Sequence, residues 1–185
     1  MEIFLTVVLI IAAIIAAYIT VATNTVKIKK IPVSSPKIPK EFDGVKIALL
    51  SDLHDAKLSG YSKKKLLEKT AEIKPDFIFL GGDMHEIRKK DKKFFSLLDD
   101  LKKIAPLYYV DGNHDARLKK YPDYKNYLAE LEKRAENLHG KTSLCIGNAK
   151  IDLYGCGYFE YKKDMFDFDK NRFSVFLYHS PFVFD

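Results

Sequence analysis

Four short polar clusters, each directly after an apolar run, constrain the fold of this chain more than any other feature. In chain order they are Ser51-Asp52-Leu53-His54, Gly81-Gly82-Asp83, Gly112-Asn113-His114-Asp115 and Tyr178-His179-Ser180-Pro181. Loops at the carboxyl ends of strands converge at one edge of an open α/β sheet, so the clusters predict a common site there. Asp, His and Asn side chains together suit divalent metal ions.

Apolar runs alternate with amphipathic segments from about residue 41 onwards. The patterns predict strands at 45–50, 76–80, 107–110 and 173–177 and helices at 61–73, 94–104 and 124–138. After Gly140 the pattern changes, because alternating runs at 143–146 and 149–155 flank a Gly147-Asn148 turn, which is typical of a hairpin. The chain therefore predicts α/β layers with a second sheet forming towards the C-terminus.

The N-terminal segment predicts a transmembrane anchor at residues 1–23. Residues 3–26 contain no charged side chain, and a helix of about 20 apolar residues spans the roughly 30 Å hydrocarbon core of a bilayer. A cleaved signal peptide is the alternative, but it needs a basic start, and only Glu2 and the α-amine precede the apolar run. No face of the segment is polar, so it does not match the surface helix of a soluble domain.

The segment after the anchor is basic and rich in proline. Residues 24–40 contain three prolines and alternate apolar with basic side chains, which favours an extended linker or an edge strand. The basic residues are Lys27, Lys29, Lys30, Lys37 and Lys40. The positive-inside rule then favours a single-pass protein of the cell membrane with the remaining domain, residues 41–185, in the cytoplasm.

The net charge and the cysteine content indicate which ligands the chain favours and whether its cysteines form disulfides. The formal net charge of +6 favours anionic ligands such as phosphate esters or nucleic acid. The lysine runs at 63–65 and 89–90 lack interleaved aromatic residues, so solvated helix faces are favoured over nucleic-acid binding. Cys145 and Cys156 are too few for a disulfide framework, and both are expected to be reduced and packed.

The motifs resemble those of the calcineurin-like metallophosphoesterase superfamily. Four motifs carry the resemblance, namely Asp-x-His at 52–54, Gly-Asp-x-x-Glu at 82–86, Gly-Asn-His-Asp at 112–115 and His-x-Pro at 179–181. Within the superfamily, the chain is most similar to membrane-anchored bacterial phosphoesterases related to UDP-2,3-diacylglucosamine hydrolases. The resemblance covers Val45 to the end, with Glu86 where the family usually has Asp. It implies a layered β-sandwich flanked by helices.

The resemblance also implies a site with two divalent ions, of manganese, iron or zinc. Asp83 would bridge the two ions, Asp52 and His54 would complete the first, and Asn113 and His179 would complete the second. From the sequence, Asp52 and His54 are alternate residues of an extended segment and so share a face. The glycines at 81 and 82 would let the backbone turn sharply before Asp83.

The remaining histidines receive different roles. By resemblance His114, paired with Asp115, is the catalytic group near the leaving group, as a proton donor or charge stabiliser, and is not a metal ligand. His85 lies inside the Gly-Asp-x-x-Glu loop, where it is either a neighbour of the ligands or incidental. His139 precedes Gly140 at a predicted helix end, where a partial positive charge is favourable, and is interpreted as structural.

The implied function is that of a membrane-anchored phosphoesterase that hydrolyses phosphate monoesters or diesters, including lipid-linked ones, by two-metal activation of water. The family's Gly-His-x-His motif, expected after the His-x-Pro loop, is absent from these 185 residues. The domain is therefore expected to be C-terminally truncated. The alternative is a truncated, catalytically impaired membrane protein that binds metal or a partner. A nuclease on the same scaffold is less favoured, because the anchor indicates envelope substrates.

Overall fold

A four-stranded parallel sheet is the central layer of the structure. The structure, a computed structural model, describes residues 2–54, 60–85, 91–162 and 164–180. The first sheet has the order β1-β2-β3-β4, with all neighbours parallel; its strands are β1 (Ile47–Leu50), β2 (Phe77–Leu80), β3 (Leu107–Tyr109) and β4 (Glu136–Asn137). The helices that connect or precede these strands are α1 (Glu2–Asn24), α2 (Gly60–Ile73), α3 (Asp91–Lys102) and α4 (Tyr124–Glu132).

Both faces of this sheet are covered by apolar side chains. Strand β2 is buried along its whole length, and alternate residues point to opposite faces. Ile78 and Leu80 belong to the core shared with the helices, whereas Phe77 and Phe79 belong to a second core. The continuous apolar sequence of β2 follows from this double burial, as is usual for parallel sheets.

A second, three-stranded sheet covers the other face. Its order is β5-β6-β7, from β5 (Gly140–Ile146), β6 (Ala149–Gly155) and β7 (Ser174–Leu177). The predicted hairpin is confirmed, since β5 and β6 are antiparallel and Gly147 at their turn has a left-handed φ of 56°. Leu144, Leu153 and Leu177 pack in one core with Phe77 and Phe79. The expectation of α/β layers with helices beside two sheets is confirmed.

The third predicted helix ends earlier than its sequence pattern. Helix α4 stops at Glu132 instead of residue 138, and Glu136 and Asn137 pair with β3 as a short edge strand. The apolar residues after the helix, Ala135 and Leu138, are buried as a helix would also bury them, so periodicity could not locate the boundary. His139 consequently lies between β4 and β5, and its predicted position at a helix end is wrong.

Helix α1 exposes its apolar side chains. Every side chain from residue 3 to residue 19 is exposed, and residues 25–35 beyond the helix form neither helix nor strand. Within the described ranges, no helix combines the length and the apolarity needed to cross a membrane. The transmembrane anchor predicted at residues 1–23 is therefore not confirmed.

The two cysteines differ in environment. Cys156 is buried, as predicted, but Cys145 is exposed on β5, so its predicted packing is wrong. Both thiols are free. Burial raises the pKa of Cys156 to about 11, which keeps this thiol protonated and unreactive at neutral pH.

Candidate metal centre

The four polar clusters meet at the carboxyl edge of the first sheet, as the sequence predicts. The loops after β1 and β2 run side by side, because the Asp52 N–H donates to the Gly82 carbonyl at 3.0 Å and the His54 N–H donates to the Asp83 carbonyl at 3.0 Å. The loop after β3 joins them where the His114 N–H donates to Asp83 Oδ1 at 2.8 Å. His179, after β7, reaches the same point from the second sheet.

Asp83 is the centre of this cluster. Its side chain is 5% exposed, and the distances from its Oδ2 to histidine Nε2 atoms are 3.4 Å for His179, 3.7 Å for His54 and 4.0 Å for His114. Two groups of ligand atoms therefore share Asp83, one with His54 and His114 and the other with Asp52 and His179, each within 4.8 Å. A carboxylate common to two groups fits a bridging ligand between two ions.

Three of the predicted ligands have strained backbone conformations. Asp52, His54 and Asp83 have φ values of 57°, 43° and 50°, in the left-handed region that non-glycine residues seldom occupy. The prediction that Asp52 and His54 converge along an extended segment is therefore wrong, although His54 Nε2 does lie 3.9 Å from Asp52 Oδ1. Strain of this kind persists at functional sites, where the surrounding structure fixes it.

The hydrogen bond of His179 fixes which ring nitrogen faces the centre. Its Nδ1 lies 2.8 Å from the Gly81 carbonyl oxygen, which can only accept, so Nδ1 carries a proton. In the neutral ring, Nε2 then has a lone pair directed at Asp83 Oδ2, 3.4 Å away. Two acceptors at this distance repel each other unless a cation, either a proton on Nε2 or a metal ion, lies between them. The donor set therefore fits a metal ion, with the carbonyl orienting the imidazole as in known metal sites.

Two glycines permit the close approach of the loops. A Cβ on Gly82, which has a φ of 92°, would lie 2.7 Å from the Gly112 nitrogen and 2.7 Å from His179 Nδ1. A Cβ on Gly112 would overlap the amide nitrogen and Oδ1 of Asp83 and lie 2.8 Å from its Cγ. The predicted turn at Gly82 is thus observed, and Gly112 is required by close packing and not by its φ value.

Substitution of Gly112 by alanine is expected to displace Asp83. The affinity for Mn²⁺ should fall roughly 10- to 100-fold, as for other disturbances of residues that support metal ligands. Isothermal titration calorimetry measures this change. The matched control is Gly81→Ala, whose Cβ would lie 3.2 Å from Leu49 Cδ1, a side chain that is 62% exposed and free to move. Equal affinities in the two variants would contradict the requirement for glycine at 112.

Asn113 and His114 lie in the loop after β3. Both are half-buried, and His114 packs edge-on against His54 with ring centroids 4.8 Å apart and an interplanar angle of 88°. Arg117 Nη1 lies 3.4 Å from His114 Nδ1. The loop thus brings His114 into the cluster and places Asn113 between two residues that contact Asp83. Glu86 and Pro181, which complete two of the motifs, lie outside the described residues.

Asp115 joins two loops, a role that its sequence does not indicate. Its carboxylate is buried and accepts hydrogen bonds from the Gly112 N–H at 2.9 Å and the His85 N–H at 3.0 Å, with the Met84 N–H further away at 3.4 Å. Burial raises the pKa of Asp115 to about 6, although its backbone hydrogen bonds oppose the shift. Asp115 therefore holds the loop after β2 against the loop after β3.

His85 is a buried neighbour of the centre. Its side chain is fully buried, and its Nε2 lies 2.7 Å from Asp91 Oδ1 at the start of α3. Its ring stacks on Phe94, with centroids 4.8 Å apart and an interplanar angle of 11°. Of the two interpretations open from the sequence, these contacts favour a packed residue of the loop that carries Asp83.

A charged network borders the centre on the side of the second sheet. Lys119 Nζ lies 3.0 Å from the buried Asp111 carboxylate and 3.1 Å from Glu160 Oε1, and Glu160 Oε2 lies 2.8 Å from His139 Nδ1. Burial alone would raise the pKa of Glu160, but hydrogen bonds from His139 and Lys119 outweigh it and lower the pKa to about 2. The network links the segments after β3, β4 and β6, and no motif in the sequence marks it.

The lowered pKa of Glu160 predicts a loss of stability in acid. A carboxyl whose pKa is lower in the folded state stabilises the fold above its unfolded pKa of 4.5, and this contribution disappears as the pH falls towards 2. Glu160 is 39% exposed, so solvent screening reduces the effect. Between pH 6 and pH 3.5, the thermal midpoint of Glu160→Gln should fall about 3 °C less than that of the wild type. Glu132→Gln on α4 is the control, and parallel curves for all three proteins would refute the assignment.

The fold and the cluster define a class of protein. Layered α/β proteins of this class collect metal-binding side chains at the carboxyl edge of a parallel sheet. The sequence model of the calcineurin-like phosphoesterase family matches residues 45–183, most of the chain. The chain therefore belongs to the calcineurin-like phosphoesterase family, whose members are hydrolases that bind divalent metals.

The individual proteins that resemble this chain have low sequence identity to it. A zebrafish (Danio rerio) transmembrane protein with metallophosphoesterase domain is 29% identical over 150 residues, which cover 77% of this chain and 32% of the relative. Uncharacterized metallophosphoesterases from two Helicobacter pylori strains are 28% identical over 172 residues, which cover 84% of this chain and 43% of each relative. The chain thus spans less than half the length of these relatives.

A solved structure shows a weaker likeness. It is that of a phosphopantetheinyl hydrolase from Mycobacterium tuberculosis, at 18% identity with a TM-score of 0.39. The alignment covers 59% of this chain and 41% of that structure.

Proposed function

We propose that this chain is the phosphoesterase domain of a membrane-associated enzyme that hydrolyses phosphate esters with two divalent metal ions. The observation that carries the proposal is the position of Asp83, whose buried carboxylate lies within 4.0 Å of three histidine Nε2 atoms. This carboxylate is shared by His54 on the one hand and by Asp52 with His179 on the other, which fits a ligand common to two ions. The family assignment supplies the reaction class.

The residues of the cluster have separate tasks in this proposal. Asp83 would bridge the ions, and the ligands Asp52, His54, Asn113 and His179 would complete their coordination. When bound, two divalent ions supply Lewis-acid activation of water and neutralise charge on the phosphoryl oxygens. Manganese, iron and zinc all suit this mixture of carboxylate, amide and imidazole ligands.

His114 is the residue that would move a proton. Its ring is half-buried beside His54, and its backbone N–H is held by Asp83. The imidazole is therefore fixed at the edge of the centre, where it would donate a proton to the leaving oxygen of the ester. Asp115, predicted to pair with this histidine, would act by holding the loop that carries it.

Helix α1 would bring the domain to a lipid surface. Ile3, Phe4 and Leu5 are 83%, 74% and 58% exposed, and the apolar exposure continues to residue 19. A contiguous apolar surface of this kind marks a membrane or protein contact. Lys27, Lys29 and Lys30 follow and would contact anionic headgroups, on the cytoplasmic side if the positive-inside rule applies. Flotation with lipid vesicles tests this, since loss of residues 1–24 should abolish co-flotation.

A metal-reconstitution assay tests the enzymatic proposal. The full chain in phosphatidylcholine nanodiscs is stripped with a chelator, and hydrolysis of bis(p-nitrophenyl) phosphate and p-nitrophenyl phosphate is followed after addition of Mn²⁺, Fe²⁺ or Zn²⁺. Turnover restored by at least one metal supports the proposal. Binding of two ions by calorimetry without turnover of either ester would instead support the alternative of a metal- or partner-binding protein. The same assay ranks diesters against monoesters.

A further inference from the structure

A tight turn after β6 presents aromatic residues beside the metal centre. The Glu160 N–H donates to the Gly157 carbonyl at 2.9 Å, so Tyr158 and Phe159 occupy the two central positions of the turn. The Glu160 side chain holds the turn from within, because its Oε2 accepts from the Gly157 N–H at 3.2 Å. The same carboxylate contacts Lys119 and His139, as described above, which ties the turn to both sheets.

Tyr158 connects the turn directly to the candidate metal ligands. Its ring packs edge-on against His179, with centroids 5.9 Å apart, and against Phe159, with centroids 5.0 Å apart. The Tyr178 hydroxyl donates to the Tyr158 carbonyl at 2.8 Å, and the two tyrosine rings are nearly parallel, with an interplanar angle of 9°. Two successive ring contacts thus lead from the metal centre to Phe159.

Phe159 contributes little to the core of the domain. Its side chain is 71% exposed, so little of its apolar surface is removed from water and its burial adds little to the stability of the fold. The aromatic cluster extends on the other side of Tyr158 through Tyr178. Tyr161 packs on Tyr178 at 5.2 Å and on Phe176 at 6.1 Å between ring centroids. An exposed apolar surface that is continuous with a polar site is typical of a ligand-binding cleft.

We propose that the turn at 157–160 binds the apolar group of a phosphate ester whose phosphoryl group lies at the metal centre. The substrate class is then a phosphate ester that carries an alkyl, acyl or aryl group, since Tyr158 and Phe159 offer apolar ring surface. This inference rests on the function proposed above and adds the identity of the group next to the phosphate. Tyr158 and Phe159 are specificity residues that contact this group and take no part in bond cleavage.

A series of diesters with one leaving group tests the proposal. Methyl, hexyl and benzyl p-nitrophenyl phosphate release the same p-nitrophenolate, so differences in kcat/KM report contacts of the second group. Burial of part of a hexyl chain should raise kcat/KM at least about tenfold over the methyl ester. The benzyl ester distinguishes an aryl from an alkyl preference. Equal values for all three esters would overturn the inference while leaving the phosphoesterase function intact.

Two substitutions locate the contact. Phe159→Ala should reduce the ratio of kcat/KM for the hexyl ester to kcat/KM for the methyl ester to about threefold or less. The matched control is Ile31→Ala in the segment after α1, where the side chain is likewise 71% exposed. The control should retain the full preference. An unchanged preference in Phe159→Ala, or an equal loss in the control, places the contact elsewhere and refutes the proposal.

A binding measurement tests the proposed contact independently of catalytic activity. The chain contains no tryptophan, so in Phe159→Trp the emission excited beyond the tyrosine absorption band comes from one tryptophan at the tip of the turn. With Mn²⁺ present, hexylphosphonate should shift its emission to shorter wavelength, with a dissociation constant at least about tenfold below that of methylphosphonate. Ile31→Trp controls for entry of the ligand into lipid. No shift, or the same shift in the control, would overturn the proposal even if the chain hydrolyses no ester.

Discussion

Asp83→Asn is expected to lower kcat/KM for phosphate-ester hydrolysis about a thousandfold at saturating Mn²⁺, because a neutral amide cannot balance two divalent ions. The fold should survive the substitution. Asparagine tolerates the left-handed φ of 50°, and its amide oxygen can still accept the His114 N–H, which lies 2.8 Å from Oδ1. Calorimetry with Mn²⁺ should show that at least one of two binding events is lost.

Asp164→Asn is a matched control for this experiment. Asp164 has a φ of 61°, is exposed and is not a candidate ligand, so the same atoms change in a similar backbone conformation. It should retain wild-type hydrolysis and Mn²⁺ affinity. If Asp83→Asn kept more than about a tenth of the wild-type rate with unchanged metal binding, a bridging role for Asp83 would be untenable.

Asp115→Ala is expected to destabilise the domain by about 2–5 kcal/mol, because it leaves buried N–H groups of two loops without an acceptor. The Gly112 and His85 N–H groups lose hydrogen bonds of 2.9 and 3.0 Å, and the lost carboxylate volume leaves a cavity in a region of 3% exposure. Urea unfolding of the metal-free chain measures the change in the free energy of unfolding, free of any contribution from bound ions.

The conservative variant Asp115→Asn separates hydrogen bonding from packing. It keeps the volume and one acceptor oxygen, so its loss should be smaller than that of the alanine variant, by roughly 1 kcal/mol or more. Equal unfolding midpoints for the wild type and Asp115→Ala would show that the two loops are held together by other contacts. A loss confined to His114-dependent catalysis, with no change in stability, would instead support the pairing predicted from the sequence.

The elements that the sequence predicted best are those whose pattern reflects local chemistry. Strand β2 is apolar at every position because both of its faces are buried, and the glycines at 81 and 82 end it. The helix predicted at 61–73 begins within one residue of the observed start of α2. The end of α4 was missed because pairing of Glu136 with β3 is a long-range contact that helical periodicity does not contain.

In the candidate metal centre, too, the residues were predictable from local sequence, but their backbone conformations were not. The sequence identified Asp52, His54, Asp83 and His179 as a group, and the structure brings their side chains together. It misjudged how they converge, since the left-handed conformations of Asp52 and His54 depend on hydrogen bonds to the neighbouring loop. A backbone conformation imposed by a distant segment leaves no mark on local residue spacing.

The sequence alone was enough to predict the family, the layered α/β class and the residues that lie at the carboxyl edge. These properties follow from short motifs and from the periods of apolar residues, which act over a few positions of the chain. The assembled fold was needed to show that Asp115 joins two loops and that Lys119 and Glu160 connect the sheets. It was also needed to show that Phe159 is exposed and that Tyr158 connects it to His179. Each of these depends on which segments pack together, and residues far apart in the chain acquire a shared environment only when the layers assemble.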